Sequence, residues 1–275
     1  MVEVMDQRAL IFLHIPKTAG TTLNRIIEWQ YNPLSIFTID PYGIRATAER
    51  LHELPEERRR RLRMVRGHCY YGLHKLLPQG ATYITMLRDP VKRFLSSYYF
   101  IQRRPLHPLH RKVKGEQLGV EDFLRLTAHR QNLQCGMIAG VRADKCVEST
   151  LELAKQNLKS FSVVGICERF EESLVLAALT FDWEIPFYEN RKVTKTWSKI
   201  DPAAVELIKE HNRLDLELYR FGNQLFQTSL EEKKHAVEEG LARLRMLPKP
   251  SPIESWYNSA LGTGRFLITK IASAV

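Results

Sequence analysis

The sequence predicts an α/β fold: a central parallel sheet of about four to five strands with helices on both faces. Two observations carry this. Five short apolar runs, at 10–15, 35–39, 62–66, 81–87 and 162–167, have strand length and lie among stretches whose apolar residues recur at helical spacing. Two of these runs also pass through a tight turn directly into a helix start, which turns backbone N–H groups toward an anion. With 275 residues and 44% hydrophobic content, the chain is long enough for one large core. It divides into a domain over 1–247 and a tail over 248–275, where Pro248, Pro250 and Pro252 break a charged amphipathic helix expected over 230–247.

The first run, Leu10 to Ile15, turns at Pro16 into Lys17-Thr18-Ala19-Gly20-Thr21-Thr22. Thr21 or Thr22 can cap a helix through Leu23, Ile26, Ile27 and Trp29. A helix N-terminus with Lys17 at its mouth suits a phosphate-like group. The order of residues excludes a Walker A loop, whose Lys follows its second Gly. Here Lys17 precedes Gly20, and no glycine stands near position 12.

The second run, Ser35 to Ile39, ends at Asp40-Pro41, and Arg45 to Arg63 then reads as one charged helix. Its block Arg58, Arg59, Arg60, Arg61 and Arg63 is either a solvated face partnered by Glu53, Glu56 and Glu57 or a landing strip for an anionic acceptor. The third run delivers Arg66-Gly67-His68-Cys69. A histidine directly after a strand stands where α/β folds place their chemistry.

The fourth run leads into Arg88-Asp89-Pro90-Val91-Lys92-Arg93-Phe94-Leu95-Ser96. Asp89 suits the N-cap and Pro90 the first helical position. Val91, Leu95 and Tyr98 then share one face, and Arg88 and Ser96 can converge on a second anion. The basic segment that follows carries two prolines and Arg103, Arg104, His107 and His110; it is a candidate acceptor-binding loop or a solvated one. Helices are expected over 120–128, 148–158 and 168–179, and again from Pro202. Asn132 and Gln134 could bind acceptor hydroxyls or hold their own loop, and the basic stretch 188–198 is a structural loop or a cofactor lid. The tail, with Trp256, Tyr257 and Phe266, packs back on the domain or meets a partner or membrane surface.

The loop Pro16-Lys17-Thr18-Ala19-Gly20-Thr21-Thr22 resembles the 5′-phosphosulfate loop of sulfotransferases, and the pattern from Arg88 to Ser96 resembles their 3′-phosphate site. The likeness is to the branch containing the heparan sulfate 2-O- and 6-O-sulfotransferases and their bacterial relatives, and it covers roughly residues 8–222. Gly67-His68 is similar to the His-x-His segment of the 2-O enzymes, whose second His is the general base; Arg66 stands where the first His would be. The resemblance implies a P-loop-like fold and 3′-phosphoadenosine-5′-phosphosulfate (PAPS) as donor, with adenosine 3′,5′-bisphosphate as product. It implies His68 and Lys17 as catalytic residues. Lys17, Thr18, Ala19, Gly20, Thr21, Thr22, Arg88 and Ser96 would hold the donor. Arg66, Arg103, Arg104, His107, His110, Asn132 and Gln134 are candidates for a hydroxyl-bearing acceptor such as an anionic glycan or glycolipid. No metal is expected, because no pair of Asp residues for magnesium is apparent.

The formal charge of +10 favours an anionic partner without choosing one. A P-loop kinase would need a Walker lysine and metal-binding acids, and a nucleic-acid-binding protein would leave Lys17, His68 and Arg88 unexplained as a set; no nucleic-acid partner is expected. Cys69, Cys135, Cys146 and Cys167 form no C-x-x-C pair and read as reduced thiols. The sequence has no signal-like N-terminus, no apolar run of membrane-spanning length and no Asn-x-Ser/Thr sequon. The animal glycan sulfotransferases are Golgi proteins with a membrane anchor; this chain looks instead like a cytoplasmic bacterial cousin.

Overall fold

Strand β1, Ala9–Leu13, is buried along its whole length. A strand covered on both faces needs an unbroken apolar run rather than alternation, and ALIFL supplies one. The computed structural model describes residues 8–185 and 200–247, with Thr269 and Ser273 from the tail. Among the described residues β1 is followed by α1 (Gly20–Gln30), β2 (Ile36–Ile39), α2 (Ile44–Glu53), α3 (Glu56–Arg61), β3 (Met64–Gly67), β4 (Ala81–Leu87) and α4 (Pro90–Gln102). Then come α5 (Val120–Leu126), α6 (Leu133–Ala139), α7 (Glu148–Lys159), β5 (Val163–Ile166), α8 (Phe170–Phe181), α9 (Pro202–His211), α10 (Arg213–Glu232) and α11 (Lys234–Met246).

The five apolar runs form one parallel sheet, as predicted, and its strand order is β2-β3-β1-β4-β5. The chain leaves β1 toward β2 on one side and leaves β4 toward β5 on the other, so the order reverses between β1 and β4. Open α/β sheets bind ligands in the crevice at such a reversal, beyond the strand C-termini. The register brings the ends level: Leu13 of β1 lies beside Gly67 of β3 and Thr85 of β4.

Three local expectations change. The helix expected over 45–63 is two, α2 and α3, with Pro55 as the N-cap of the second. Proline has no N–H for the helix ladder and disfavours helical geometry in the residue before it. The cap of α1 is neither Thr21 nor Thr22 but Ala19, in the left-handed region at φ 62°, with no side-chain hydrogen bond. The amphipathic helix expected over 230–247 begins at Lys234, because α10 runs on to Glu232. The loop 188–198 lies outside the described residues, as does the tail save for two positions. Of those, Ser273 Oγ accepts from the Thr38 N–H of edge strand β2 at 2.9 Å, and Thr269 Oγ1 accepts from Arg66 at 3.3 Å. An edge-strand donor is satisfied from within the chain. Among the described residues no helix is long and apolar enough to cross a membrane.

Candidate active site

The ends of β1, β3 and β4 open into a cleft of about 1360 Å³. Lys17, Ala19, Gly20, Thr21 and Thr22 line it from the β1–α1 loop, His68 from the end of β3, and Arg88 and Ser96 from β4 and α4. Residues predicted from three separate stretches therefore share one cavity.

The β1–α1 loop is built under backbone strain. Lys17 and Ala19 both have positive φ, 72° and 62°, which costs a non-glycine residue about 1–3 kcal/mol. Thr18 does not reach the cleft; its side chain is buried and its hydroxyl donates to the Ile15 carbonyl at 2.8 Å, pinning the turn. Gly20 is required by space, since a Cβ there would lie 2.0 Å from the His14 ring. The Lys17 ammonium rests over the Phe100 ring, 3.9 Å from its centroid, a cation–π contact.

His68 follows Gly67, whose φ of +132° and approach to the Ile39 carbonyl leave no room for a side chain. The His68 Nδ1 is 2.7 Å from the His14 carbonyl oxygen. A carbonyl only accepts, so Nδ1 carries the proton and Nε2 keeps the lone pair. The two imidazoles pack with centroids 4.4 Å apart. Burial lowers the His68 pKa, the His14 carbonyl opposes that shift, and nearby Arg130 adds to it. The ring is thus held neutral, in one tautomer, at ordinary pH.

Arg88 is fixed at both ends. Its backbone N–H donates to Gln134 Oε1 at 3.0 Å, and its carbonyl accepts from Gln134 Nε2 at 2.9 Å. Its Nη1 donates to the Lys17 carbonyl at 2.9 Å, joining the β4 junction to the strained loop. Glu168 is 3.9 Å from Nε, too far for a hydrogen bond, and Nε is buried without a hydrogen-bond partner among the described residues. Asp89 caps α4 as predicted, accepting from the Lys92 N–H at 2.9 Å. Ser96 lies on α4 between Lys92 and Phe100, and all three line the cleft.

Several acceptor candidates lie elsewhere. Arg66 is buried in an ion pair with Glu28, and its Nε donates to Thr38 Oγ1 at 3.3 Å. A buried guanidinium needs such company, and it holds β3 to α1 and β2 instead of facing the cleft. Asn132 accepts the N–H groups of Leu214 and Asp215 at the start of α10, at 3.0 and 3.2 Å. Gln134 is wholly buried; its amide is the clamp on Arg88. Both residues hold structure. Arg103 bends back to the Tyr99 carbonyl, Arg104 lies over Phe100, and His110 donates to the Ile101 carbonyl. Of the basic Pro/His segment, His107 lines the cleft. Burial lowers its pKa, with Arg130, His110 and Lys17 contributing.

Sequence reasoning did not single out Lys92, Phe100, Arg130, Tyr42 or Tyr70, which also line the cleft. For Lys92 and Phe100 the signal was there: they stand one turn either side of Ser96, and i±4 positions share a helix face. Arg130, from a short 3₁₀ turn at Ala128–Arg130, had none.

A profile of the sulfotransferase family matches residues 2–222, well over half of the chain. The chain belongs to the sulfotransferase family. It is 25% identical to heparan-sulfate 6-O-sulfotransferase 1 of Cricetulus griseus over 279 residues, covering 82% of this chain and 69% of that protein. Heparan-sulfate 6-O-sulfotransferase 1-B of Danio rerio is 24% identical over 295 residues, covering 88% and 71%. Heparan-sulfate 6-O-sulfotransferase 3 of Homo sapiens is 28% identical over 184 residues, but that match spans 55% of this chain and 39% of the human protein. In this sulfotransferase the strand-end cleft gathers the loop lysine, the histidine after β3 and the arginine after β4.

Proposed function

We propose that this sulfotransferase moves the sulfuryl group of PAPS to a hydroxyl of a glycan acceptor, with His68 as general base. The observation that carries the reading is the fixed tautomer of His68: Nδ1 bound to a backbone carbonyl and Nε2 left to accept a proton. PAPS supplies an activated sulfuryl group joined to a phosphate leaving group. The residues present fit such a donor. The start of α1 has no side-chain cap, Lys17 supplies charge beside it, and the buried Arg88 Nε is a donor without an acceptor. The α1 N-terminus and Lys17 would hold the 5′-phosphate, and Arg88 with Ser96 the 3′-phosphate.

In the step, a bond forms between the acceptor oxygen and sulfur as the bond from sulfur to the 5′-phosphate oxygen breaks. His68 Nε2 takes the acceptor's proton. Lys17 and the helix N-terminus meet the charge left on the departing oxygen, so the proposal assigns no metal to the step. Burial lets His68 stay neutral, and so remain a base, further into acid than a free imidazole would.

His68→Ala should slow transfer by about 10²–10⁴-fold while leaving the affinity for adenosine 3′,5′-bisphosphate nearly unchanged. The wild-type kcat/KM profile should fall on its acid side with a midpoint below the ordinary value of about 6.5, and the mutant should lose that limb. Near-normal turnover of His68→Ala, or an acid limb that survives the substitution, would remove His68 from the base role.

A further inference from the structure

We infer that the acceptor hydroxyl is carried on an apolar body, the chemistry of a glycolipid, and that this body lies along the β2–β3 wall of the cleft. The inference rests on the donor and base roles proposed above and adds the class of acceptor.

The strand order gives the direction of approach. The donor's two phosphates belong to the ends of β1 and β4, and His68 stands at the end of β3, on the far side of β1 from β4. In-line transfer brings the acceptor in opposite the departing phosphate. The acceptor therefore reaches His68 from the side of β3 and β2, not from the α4 end where the basic Pro/His segment lies.

The two halves of the cleft differ in chemistry. The donor half carries Lys17, Arg88, Lys92 and Arg130. The β2–β3 half is walled by Ile39, Tyr42, Ile44 and Ala48 from the end of β2 and the start of α2, and by Tyr70 and Leu73 after β3. Its two arginines each have a carboxylate partner of their own. Arg45 Nε is 3.1 Å from Glu49, and Arg142 meets both carboxylate oxygens of Asp144 at 3.0 Å each. A polyanionic chain would gain most from cations on this wall without carboxylates beside them; here each described arginine stands next to one, which would face the same polyanion. Tyr42, 89% exposed at the lip, is an apolar ring with a polar tip, suited to the place where a sugar passes into its tail. The cleft, at about 1360 Å³, is also larger than a single small ligand fills.

The test is calorimetry on the full chain saturated with adenosine 3′,5′-bisphosphate. The probes are methyl β-D-glucoside, n-octyl β-D-glucoside below its micelle concentration, and an unsulfated heparosan octasaccharide. The octyl glycoside should bind at least about tenfold tighter than the methyl glycoside, since each buried CH₂ adds about fourfold in affinity. Its affinity should not fall with salt. Ala48→Asp should erase the octyl advantage and keep nucleotide affinity within about twofold of wild type; exposed Tyr42→Ala should reduce the advantage if Ala48→Asp does not fold. Equal affinity for the two glycosides, or tighter, salt-sensitive binding of the octasaccharide, would overturn the apolar-body assignment and leave the donor and base roles standing. Failure of adenosine 3′,5′-bisphosphate to bind would strike the donor site first and this inference with it.

Discussion

At the end of β1 the chain enters α1 through two left-handed non-glycine residues and no side-chain cap. At the end of β4 it enters α4 through an aspartate cap and a proline at the first helical position. The first junction is strained and local. Its shape is set within a few residues, by Thr18 on the Ile15 carbonyl and the His14 ring against Gly20, and Arg88 and Phe100 reach only its Lys17 from afar. The second is relaxed and held from a distance. Gln134 clamps the Arg88 backbone, and the α6 start that carries Gln134 is fixed by buried Asp215, which accepts from the Gln134 and Cys135 N–H groups at 3.2 and 2.8 Å. Asp215 also lies 3.7 Å from buried Arg93 of α4. One anion grip thus depends on backbone shape and the other on a polar network spanning α4, α6 and α10.

The difference can be broken from either side. The largest effect should come from the strained junction. Gly20→Ala drives a methyl group into His14, which itself packs on His68. A displacement of about 1 Å at such a site can cost about 10²-fold in rate, and turnover should fall by that order, with nucleotide binding weakened too. A Gly20→Ala enzyme with wild-type kinetics would show that the loop tolerates movement. Next comes Arg88→Ala. Losing a charge-assisted contact costs about 1.5–3 kcal/mol, so calorimetry should show adenosine 3′,5′-bisphosphate losing most of its advantage over 5′-AMP. Equal affinities for the two nucleotides in the wild-type protein would refute the 3′-phosphate assignment.

Gln134→Met sharpens the comparison with a smaller effect. It removes both hydrogen bonds to the Arg88 backbone and should lower affinity for the bisphosphate by about tenfold, or 1.4 kcal/mol, with 5′-AMP barely affected. Because the clamp acts through Arg88, Gln134→Met should cost little more in an Arg88→Ala background. An equal loss for both nucleotides, additive with Arg88→Ala, would mean that Gln134 merely stabilises the fold.

How legible each junction was in the sequence follows from the same contrast. The strained loop could be read because its determinants are contiguous, although the cap was misplaced: positive φ at Ala19 leaves no trace in residue type. The five strands could be read because burial on both faces demands unbroken apolar runs. Arg66 entered the acceptor candidates because it stands where the first His of the His-x-His segment would be, and its partner Glu28, which decides its structural role, sits on another element. For Asn132 and Gln134 residue type left open whether they bind acceptor hydroxyls or hold structure, and the second is what they do. The Asn132 side chain meets backbone groups some eighty residues on and the Gln134 side chain meets the Arg88 backbone 46 residues back, and spacing along a chain carries no signal for either. Arg45 to Arg63 read as one helix because charge periodicity ran on through Pro55, a breaker that local chemistry did announce.

The hydrogen bond from Arg88 Nη1 to the Lys17 carbonyl has a kinetic consequence. The residue that would grip the 3′-phosphate also braces the loop facing the bond that breaks. Contact energy gained far from the reacting sulfur is thereby available to hold Lys17 in its strained shape through the transition state. In such an arrangement the 3′-phosphate is more than a recognition tag, because a remote, non-reacting group contributes to turnover as well as to affinity.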